Sequence, residues 1–331
     1  MKSLITGITG FVGSHLAEYL VHSGDEVTGI CRWRSSTENL KDAGILEVGS
    51  KKSRKVKLYI SDLNDLLSLQ NVIKEVKPNR IFHLAAQSYV PASYRAPAET
   101  LQTNVIGTCN LLEAVRSHGK LNSGELPVVH ICSSSEVYGN PTKDEIPIKE
   151  SNPLRPLSPY AVSKVAEDRL GYMYWNAYKI PTVITRSFTH GGPRRGKVFF
   201  ESAFARQIAL IEAGLQKPEL RVGNLKSVRT YMDVRDTIKA YVLLTEKGTY
   251  GDVYNIGGNI TKEVGEYLEI LLSYSKKRIK VVKDPALYRP ADATLQIPDL
   301  TKIQSLGWKA KITPEKSLLD LLNYWRRKVK N

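Results

Sequence analysis

The chain has 331 residues and 42% of them are hydrophobic, so it is long enough for a large domain with an additional lobe. Its net charge of +15 is compatible with nucleic acid, acidic membranes or anionic small molecules as partners. No segment reaches the apolar length that a membrane span needs, and the N-terminal residues lack the pattern of a signal peptide. These features argue against a membrane-spanning protein and predict a cytoplasmic one.

The cysteines and the lysine clusters further limit the kinds of site and partner that the protein can have. Cys31, Cys109 and Cys132 lack the spacing of metal ligands, which predicts buried thiols, no disulfide framework and no metal site. The basic cluster at residues 51–57 has no interleaved aromatic side chains of the kind on which nucleic-acid bases stack. We therefore expect the excess charge to lie on a solvated surface, with no nucleic-acid partner and no membrane partner.

A glycine-rich turn follows the first predicted strand, residues 3–6, and precedes a predicted helix. The turn comprises Gly7, Gly10, Phe11, Val12 and Gly13. Glycines there let the backbone turn tightly and approach a pyrophosphate, which would bind at the helix N-terminus. The spacing is GxxGxxG rather than GxGxxG, so it is the position in the first strand–helix turn that favours a dinucleotide site.

The loop after the second predicted strand indicates which dinucleotide binds. Residues 26–30 are followed by Arg32, Arg34, Ser35 and Ser36, without a carboxylate to accept a hydrogen bond from a ribose 2′-hydroxyl. Arginine and serine suit a 2′-phosphate instead. The loop therefore predicts NADP rather than NAD, and the alternative is that both arginines are merely exposed charges.

The next two predicted strands end in small or polar residues. Asp62 can accept a hydrogen bond from an adenine amino group, or it can cap the following helix. Ala85 and Ala86 allow close backbone approach to a cofactor, and Ser88 adds a hydroxyl. His83 lies inside an apolar strand, which is typical of a core histidine rather than a ligand.

Four residues with chemical potential follow the next apolar strand, residues 128–132. Ser134 and Glu136 stand at its end, where ligands bind in open α/β sheets. Tyr160 and Lys164 are spaced i and i+4, on one face of a predicted helix. An ammonium at that distance is expected to lower the pKa of the phenol, which could then take a proton from an alcohol as its hydride leaves.

The helix that carries this pair has a clear beginning. Ser158 is a good N-cap, and Pro159 at the first helical position loses no donor that the helix needs. Apolar residues then recur at spacings of three and four, and we expect them to form the buried face. These residues are Val162, Ala166, Leu170, Met173 and Ala177.

The alternation of strands and helices up to about residue 190 predicts an α/β fold with a doubly wound parallel sheet. Beyond it the alternation loosens, so we expect a dinucleotide-binding domain at 1–190 and a smaller C-terminal substrate-binding lobe at 191–331, closely packed on the first. Asn104, in a helix near 99–116, is predicted to be structural and to bond a neighbouring strand end.

Arginines gather in the predicted loops of the C-terminal lobe. They are Arg194, Arg195, Arg229 and Arg289. A guanidinium matches phosphate geometry bidentately, so together they suit a diphosphate. Each taken singly is more typical of a surface ion pair.

These motifs resemble those of the extended short-chain dehydrogenases/reductases, and more narrowly the GDP-mannose 4,6-dehydratases and the similar GDP-manno-heptose 4,6-dehydratases. The resemblance covers nearly the whole chain. It rests on TGITGFVGSHLAEYL, SDLND, IFHLAAQSYV, ICSSSEVYG, SPYAVSK, GPRRG, VGNLKSVRTYMDVRD, YRPAD and LGW. It implies a Rossmann domain with a nucleotide-sugar-binding lobe, NADP as cofactor, a GDP-sugar substrate, and a homodimer or a homotetramer paired through the loop after Arg32.

The resemblance also implies roles for individual residues. Tyr160 matches the base of the oxidation and Lys164 the residue that anchors the nicotinamide ribose, while Ser134 and Glu136 match a hydroxyl and an acid/base. The implied cofactor contacts are Gly7, Gly10, Phe11, Val12, Gly13, Arg32, Asp62, Leu63, Leu84, Ala85, Ala86, Ser88, Tyr160 and Lys164. The implied substrate contacts are Ser134, Arg194, Asn224, Arg229 and Arg289.

Two positions depart from the family pattern. The family usually has threonine where this chain has Ser134, which preserves the hydroxyl. It commonly has Asn-His where this chain has Thr189-His190, and this difference bears on the sugar that is accepted.

The implied reaction needs these groups in sequence. Tyr160 takes the C4 hydroxyl proton as hydride passes to NADP, Glu136 removes the C5 proton, and water leaves from C6 with help from Ser134. Hydride then returns to C6, which gives a 4-keto-6-deoxy sugar. Oxidation needs only the tyrosine and the lysine, so Glu136 is the residue that separates a dehydratase from a plain oxidoreductase; its alternative interpretation is a carboxylate that caps a turn.

Two other functions fit the sequence less well. A GDP-4-keto-6-deoxy sugar reductase or epimerase of the same fold would consume NADPH or invert a centre without loss of water. A non-catalytic nucleotide- or RNA-binding protein would use the charge of +15 and would show a steep dependence of binding on salt.

Overall fold

The structure, a computed structural model, describes residues 1–46, 56–119, 124–288 and 295–330. Its strands are β1 (Lys2–Thr6), β2 (Glu26–Cys31), β3 (Lys57–Ile60), β4 (Arg80–His83), β5 (Val128–Ser134), β6 (Thr182–Ser187), β7 (His190–Gly191), β8 (Glu219–Val222), β9 (Val228–Asp233), β10 (Val253–Ile256), β11 (Ile260–Glu263), β12 (Lys280–Lys283) and β13 (Leu295–Gln296). Its α-helices are α1 (Phe11–His22), α2 (Glu38–Asp42), α3 (Leu66–Val76), α4 (Val90–Arg95), α5 (Pro97–Leu101), α6 (Gly107–His118), α7 (Pro159–Tyr178), α8 (Phe200–Glu212), α9 (Val234–Lys247), α10 (Val264–Ser273), α11 (Thr301–Gln304) and α12 (Pro314–Lys330).

The main sheet has seven strands within the described ranges, in the order β10-β6-β5-β4-β1-β2-β3. β1 pairs in parallel with β2 on one side and with β4 on the other, and the β2–β3 and β4–β5 pairs are also parallel. The strand order therefore reverses at β1, which is the topological switch point where such sheets bind ligands. The predicted α/β fold with a doubly wound parallel sheet is confirmed.

The inner strands of this sheet are buried and most of their side chains are apolar on both faces, whereas the edge strand β3 is partly exposed. Leu4 in β1, Ile81 in β4 and Val129 in β5 are fully buried. Helices α3 and α6 add Leu69, Ile73 and other apolar side chains to the same cluster. A parallel sheet covered on both faces needs this composition.

The described residues fall into two compact units, each made of several chain segments. The first unit comprises residues 1–137, 156–186 and 238–254, and the second comprises 138–155, 187–237 and 255–331. The second unit has its own sheet, in which β9 pairs with β11, β13 and β7, and a separate parallel pair formed by β8 and β12. Helices α8, α10 and α12 supply apolar side chains to a core of its own.

Two kinds of feature, a membrane-spanning helix and a metal-ligand cluster, are absent from the described part of the chain. None of its helices combines the length and the apolar character that crossing a bilayer requires. None of its histidine, cysteine, aspartate and glutamate side chains group in threes or more where they would hold a metal ion.

Candidate active site

The glycine turn between β1 and α1 leaves no room for side chains. Gly7 has a φ of +70°, and a Cβ there would lie 2.8 Å from the backbone of Ala85. A Cβ on Gly13 would lie 2.3 Å from the Gly7 carbonyl oxygen. Gly10 is the N-cap of α1 and provides no side-chain cap. This tight backbone cradle fits a pyrophosphate at the N-terminus of α1.

The strand ends on both sides of β1 surround this turn. The Thr6 hydroxyl, at the end of β1, accepts hydrogen bonds from the N–H groups of Leu84 and Ala85 at 3.2 and 3.1 Å. The residues after β4 are thereby fixed against the glycine turn, with Ala86 half-buried and Ser88 exposed. The backbone of Ala85 thus lies close to the glycine turn, and the approach to a cofactor that was expected there stays a prediction.

The loop after β2 exposes its two arginines. Arg32 and Arg34 are both exposed, and a turn closes beneath them, because the Ser35 N–H donates to the Arg32 carbonyl at 2.9 Å. Ser35 Oγ in turn accepts from the Arg32 N–H at 3.2 Å. A guanidinium held on such a turn at the carboxyl end of β2 suits a 2′-phosphate.

Asp62 and Leu63 follow β3. The Asp62 carboxylate accepts from the Asn64 N–H at 2.9 Å, and the N-cap of α3 is Asp65, which accepts from the Ser68 N–H at 3.0 Å. Leu63 is buried against the Cα of Gly107, so its side chain belongs to the core. Asp62 therefore caps the turn that precedes α3 and not the helix itself. Its side chain is half-exposed, so it can also contact an adenine.

Helix α7 brings Tyr160 and Lys164 to the end of β5. The Ser158 hydroxyl accepts from the Ala161 N–H at 3.1 Å and Pro159 is the first helical residue, as predicted. The Lys164 ammonium donates to the Cys132 carbonyl oxygen of β5 at 2.8 Å, which fixes the helix against the strand. Its Nζ lies 5.9 Å from the centroid of the Tyr160 ring.

The charge balance at Tyr160 differs from the expectation. Burial raises the pKa of the Tyr160 phenol, while the Lys164 ammonium and a hydrogen bond with Ser134 act in the opposite direction and lower it. The prediction of a net lowering was wrong because spacing alone does not show how deeply the phenol is buried. The predicted effect of the ammonium itself is present, with the Ser134 hydroxyl as a second group that favours the phenolate.

Ser134 and Glu136 lie together at the end of β5. A 3₁₀ turn, Ser135–Tyr138, follows the strand, and the Glu136 N–H donates to Ser134 Oγ at 3.2 Å. Ser134 is buried and Glu136 half-buried. The structure therefore places Ser134, Tyr160 and Lys164 in one cluster, with a carboxylate on the next turn.

The buried face of α7 was predicted wrongly. Val162 and Met173 are exposed, at 46% and 39%. The residues that are buried instead are Tyr160, Ala161, Ser163, Lys164, Glu167, Asp168, Gly171 and Tyr174. Polar side chains occupy the inner face because they find partners there, as when the Arg186 guanidinium donates to Asp168 at 2.7 Å.

Asn104 and His83 have the structural roles that the sequence predicted. Asn104 lies in a π-helical segment between α5 and α6 and bonds Gln87, in the loop after β4, through both its oxygen and its nitrogen. His83 bonds Thr6 and Thr108 at 2.8 Å each. Burial lowers the pKa of His83 to about 3, so it is a neutral core histidine.

The second unit contains the arginines proposed for the substrate. Arg194 and Arg229 are each only 8% exposed, which is unusual for surface ion pairs. Arg194 has a φ of +68°, the left-handed region. Arg195 is engaged locally, with Nε 3.1 Å from Glu201 and its guanidinium stacked on Phe199.

Asn224 and Arg289 complete the predicted substrate set. The Asn224 side chain accepts from the Lys226 N–H and donates to Ser227 Oγ, both at 2.9 Å, so it stabilises its own turn. Arg289 lies outside the described residues.

One buried carboxylate beside the predicted cluster was missed by sequence analysis. Glu167, one helical turn after Lys164, is 1% exposed and lies 2.9 Å from the Lys164 ammonium. Its position at i+3 from Lys164 is visible in the sequence, but an apolar face was expected there.

Comparisons with known proteins bear on this arrangement. A family model described as GDP-mannose 4,6 dehydratase matches residues 4–320. A GDP-6-deoxy-D-mannose reductase of Pseudomonas aeruginosa is 33% identical over 99% of this chain and 98% of the reductase. GDP-mannose 4,6 dehydratase 2 of Arabidopsis thaliana is 34% identical over 95% of this chain and 84% of that protein.

A solved structure, that of RMD from Pseudomonas aeruginosa complexed with NADPH, is also similar. It superposes with a TM-score of 0.81 at 30% identity and covers 99% of this chain and 100% of that one. The family match extends over most of the chain, and the two relatives exceed 30% identity over 98% and 84% of their own lengths. The chain therefore belongs to the GDP-mannose 4,6-dehydratase family.

Proposed function

We propose that the protein is a GDP-sugar 4,6-dehydratase that converts GDP-mannose, or GDP-manno-heptose, to the 4-keto-6-deoxy sugar. The observation that carries the proposal is Glu136, a half-buried carboxylate on the turn directly after Ser134. Tyr160 and Lys164 suffice for the oxidation of an alcohol, whereas loss of water needs an additional acid/base. The family to which the chain belongs supports the same activity.

The cofactor of this reaction is NADP. The glycine cradle before α1 fits the pyrophosphate, and the exposed Arg32 on the turn after β2 fits a 2′-phosphate. We assign the remaining contacts to the residues that follow β3 and β4, namely Asp62, Leu63, Leu84, Ala85, Ala86 and Ser88. Bound at this edge, NADP supplies hydride acceptance from C4 and hydride return to C6.

The residues of the first unit move the protons. Tyr160 accepts the proton of the C4 hydroxyl, since Ser134 and Lys164 both favour its phenolate. Lys164, held by the Cys132 carbonyl, remains an ammonium and anchors the nicotinamide ribose. Glu136 takes the C5 proton, which the C4 ketone acidifies, and returns a proton to the hydroxide that leaves C6. When hydride is returned to C6, a solvent-derived proton restores the C–H bond at C5. Ser134 assists that departure with its hydroxyl.

The second unit supplies residues for the nucleotide diphosphate. Buried Arg194 and Arg229 have the planar guanidinium that binds phosphate bidentately. Asn224 keeps one N–H and one lone pair beyond its two local hydrogen bonds. We include Arg289 on the resemblance alone, because it lies outside the described residues.

The decisive experiment is incubation of the purified protein with GDP-mannose, without added NADPH, in D₂O. We expect a product that has lost one water and gained deuterium at C5, read by mass spectrometry. Glu136→Gln should reduce water loss and deuterium gain by about 100-fold or more. Glu246→Gln removes a carboxylate that is half exposed and pairs with Arg80, and it should leave both unchanged. Full activity of Glu136→Gln would contradict the role of this residue.

The P. aeruginosa reductase favours one alternative. It is matched along 98% of its own length, more than the 84% of the plant dehydratase. A reductase would consume one NADPH for each GDP-4-keto-6-deoxy sugar and would leave GDP-mannose unchanged. If GDP-mannose and GDP-manno-heptose both remain intact while NADPH is consumed with the keto sugar, the reductase replaces the dehydratase.

The oligomeric state and the location of the protein are part of the proposal. We expect a homodimer or homotetramer in the cytoplasm. Exposed apolar side chains on α7, at Val162, Tyr172 and Met173, suit contact with a second copy, and the free thiols suit a reducing compartment. Light scattering of the eluting protein tests the first expectation, and cell fractionation tests the second.

A further inference from the structure

Glu167 is a buried carboxylate for which the proposed mechanism has no use. It lies on the inner face of α7 and is 1% exposed. One oxygen, Oε2, is 2.9 Å from the Lys164 ammonium, while Oε1 has no hydrogen-bond partner among the described residues. A buried acceptor that lacks a partner costs free energy, so packing alone gives no reason for a carboxylate here.

Glu167 and Tyr160 both lie near the same cation, the Lys164 ammonium. The Lys164 ammonium donates hydrogen bonds to the Cys132 carbonyl oxygen and to Glu167. It also lies 5.9 Å from the centroid of the Tyr160 ring. The ammonium lowers the pKa of Tyr160, and the charge of Glu167 raises it. The net field at the phenol therefore depends on whether Glu167 carries its charge.

Among the other charged and titratable groups nearby, the Cys132 thiol of β5 also raises the pKa of Tyr160 when it is charged, and it is retained in a Glu167 variant. Asp168 on the same helix is paired with Arg186 of β6, while His83 of β4 and His130 of β5 are neutral. Helix α6 contributes Cys109 and Glu113, which contact Tyr174 farther along α7. Helices α4 and α5 also pack on α7 and carry Tyr94, Arg95 and Glu99.

We propose that Glu167 is a positioning residue that acts through Lys164, and that its carboxylate weakens the effect of the ammonium on the Tyr160 phenol and so flattens the pH dependence of the oxidation step. Burial raises the pKa of Glu167 to about 7, against the pull of Lys164. Below this pH the neutral side chain leaves the ammonium to act on the phenol unopposed. Above it the carboxylate offsets the ammonium. The phenol thus becomes more acidic where ionisation is hardest.

The test compares pH profiles of kcat/KM for wild type and Glu167→Gln, since this inference rests on the proposed dehydratase function. C4-deuterated GDP-mannose confirms that the oxidation step is being observed. We expect equal rates at about pH 5.5, and a rate roughly threefold to tenfold higher in Glu167→Gln at about pH 8.5, as a shift of half to one pKa unit gives. Glu113→Gln is the matched control, because Glu113 also contacts a tyrosine and a cation, Tyr174 and Arg116, and its profile should equal that of wild type.

A second readout needs no turnover. Infrared difference spectra of the protein should show the carbonyl stretch of a protonated carboxyl that disappears as the pH rises through about 7 and is missing in Glu167→Gln. A loss of the same factor at every pH, or an unchanged profile, would overturn the proposal and leave Glu167 a structural residue. Absence of the infrared signal would also overturn it. A wild-type protein that turns over neither GDP-sugar would refute the proposed function, while the infrared spectra would still decide whether Glu167 changes charge.

Discussion

The candidate site residues of the two units are held in different ways. In the first unit, Lys164 is fixed by a strand carbonyl and a buried carboxylate, and Tyr160 by its place at the beginning of α7. In the second unit, Arg229 is fixed by its strand, and Arg194 by a left-handed backbone turn. The first arrangement is set by helical spacing against a strand end and suits the proposed proton transfer. The second consists of buried arginines without a fixed sequence spacing, which suits the proposed binding of a diphosphate.

Removal of the Tyr160 hydroxyl should reduce activity more than the other substitutions in either unit. Tyr160→Phe keeps the ring but loses the proton acceptor, so kcat for water loss from GDP-mannose should fall by about 10²–10⁴-fold with KM nearly unchanged. Tyr174→Phe, at the other end of α7, removes a hydroxyl that bonds Glu113 and should leave kcat intact. An equal loss of activity in Tyr160→Phe and Tyr174→Phe would contradict the catalytic role proposed for Tyr160.

Replacement of an arginine in the second unit should act on binding instead. Arg229→Gln removes a guanidinium that is 8% exposed, and the loss of a charge-assisted hydrogen bond to phosphate should raise KM for GDP-mannose roughly 10- to 100-fold. Arg221→Gln is the control, because Arg221 is exposed and pairs with Asp284. A fall in kcat without a change in KM would contradict the division of labour between the units. Thermal unfolding should accompany the kinetics, since Arg229 is buried.

The buried histidines of the first unit predict a specific response to acid. Burial lowers the pKa of His130 to about 3, with smaller contributions from the neighbouring His83 and from the Lys164 ammonium. The unfolded chain binds a proton below its ordinary pKa of about 6.5, whereas the folded chain does not, so this contribution to stability is complete above pH 6.5 and is lost as the pH falls. At about pH 5.5 the loss of stability amounts to about 1.4 kcal/mol.

The corresponding measurement is urea unfolding at about pH 7.0 and pH 5.5. His130→Gln should lose about 1.4 kcal/mol less than wild type between these two values, and the difference separates this group from others that titrate. His22→Gln is the control, because His22 is exposed at the end of α1. Equal losses in wild type and His130→Gln would show that His130 is accessible to protons in the folded state.

The sequence predicted the first unit better than the second, and the reason is physical. A strand end, a glycine turn and an i, i+4 pair are local patterns, and their local geometry places Gly7, Ser134 and Lys164 where the proposed function needs them. The neutral state of His83 also followed from its apolar strand. The division of the chain into units that exchange segments at 138–155 and 238–254 depends on long-range contacts, which no local pattern encodes.

The errors on α7 have one cause. Periodicity identifies an apolar stripe, but it does not tell which face meets the sheet when the other face carries Lys164, Glu167 and Asp168. Those polar groups are buried because each finds at least one partner, and such partners come from distant strands, as Arg186 does. For the same reason the net direction of the pKa of Tyr160 could not be derived from spacing, since burial and the ammonium oppose one another.

Asn224 should show the smallest effect and is the most direct test of the boundary between binding and structure in the second unit. Its side chain holds the turn through Lys226 and Ser227, so Asn224→Ala should lower the free energy of unfolding by about 1 kcal/mol. If its remaining N–H also contacts the substrate, KM should rise by less than about tenfold, which is below the effect expected for Arg229. Asn224→Asp separates the two contributions: it keeps the acceptor for the Lys226 N–H and loses the donor, so stability should be largely retained while KM still rises beside a diphosphate. Unchanged KM in both variants would make Asn224 a turn residue only, and the nucleotide would then depend on the arginines of the second unit.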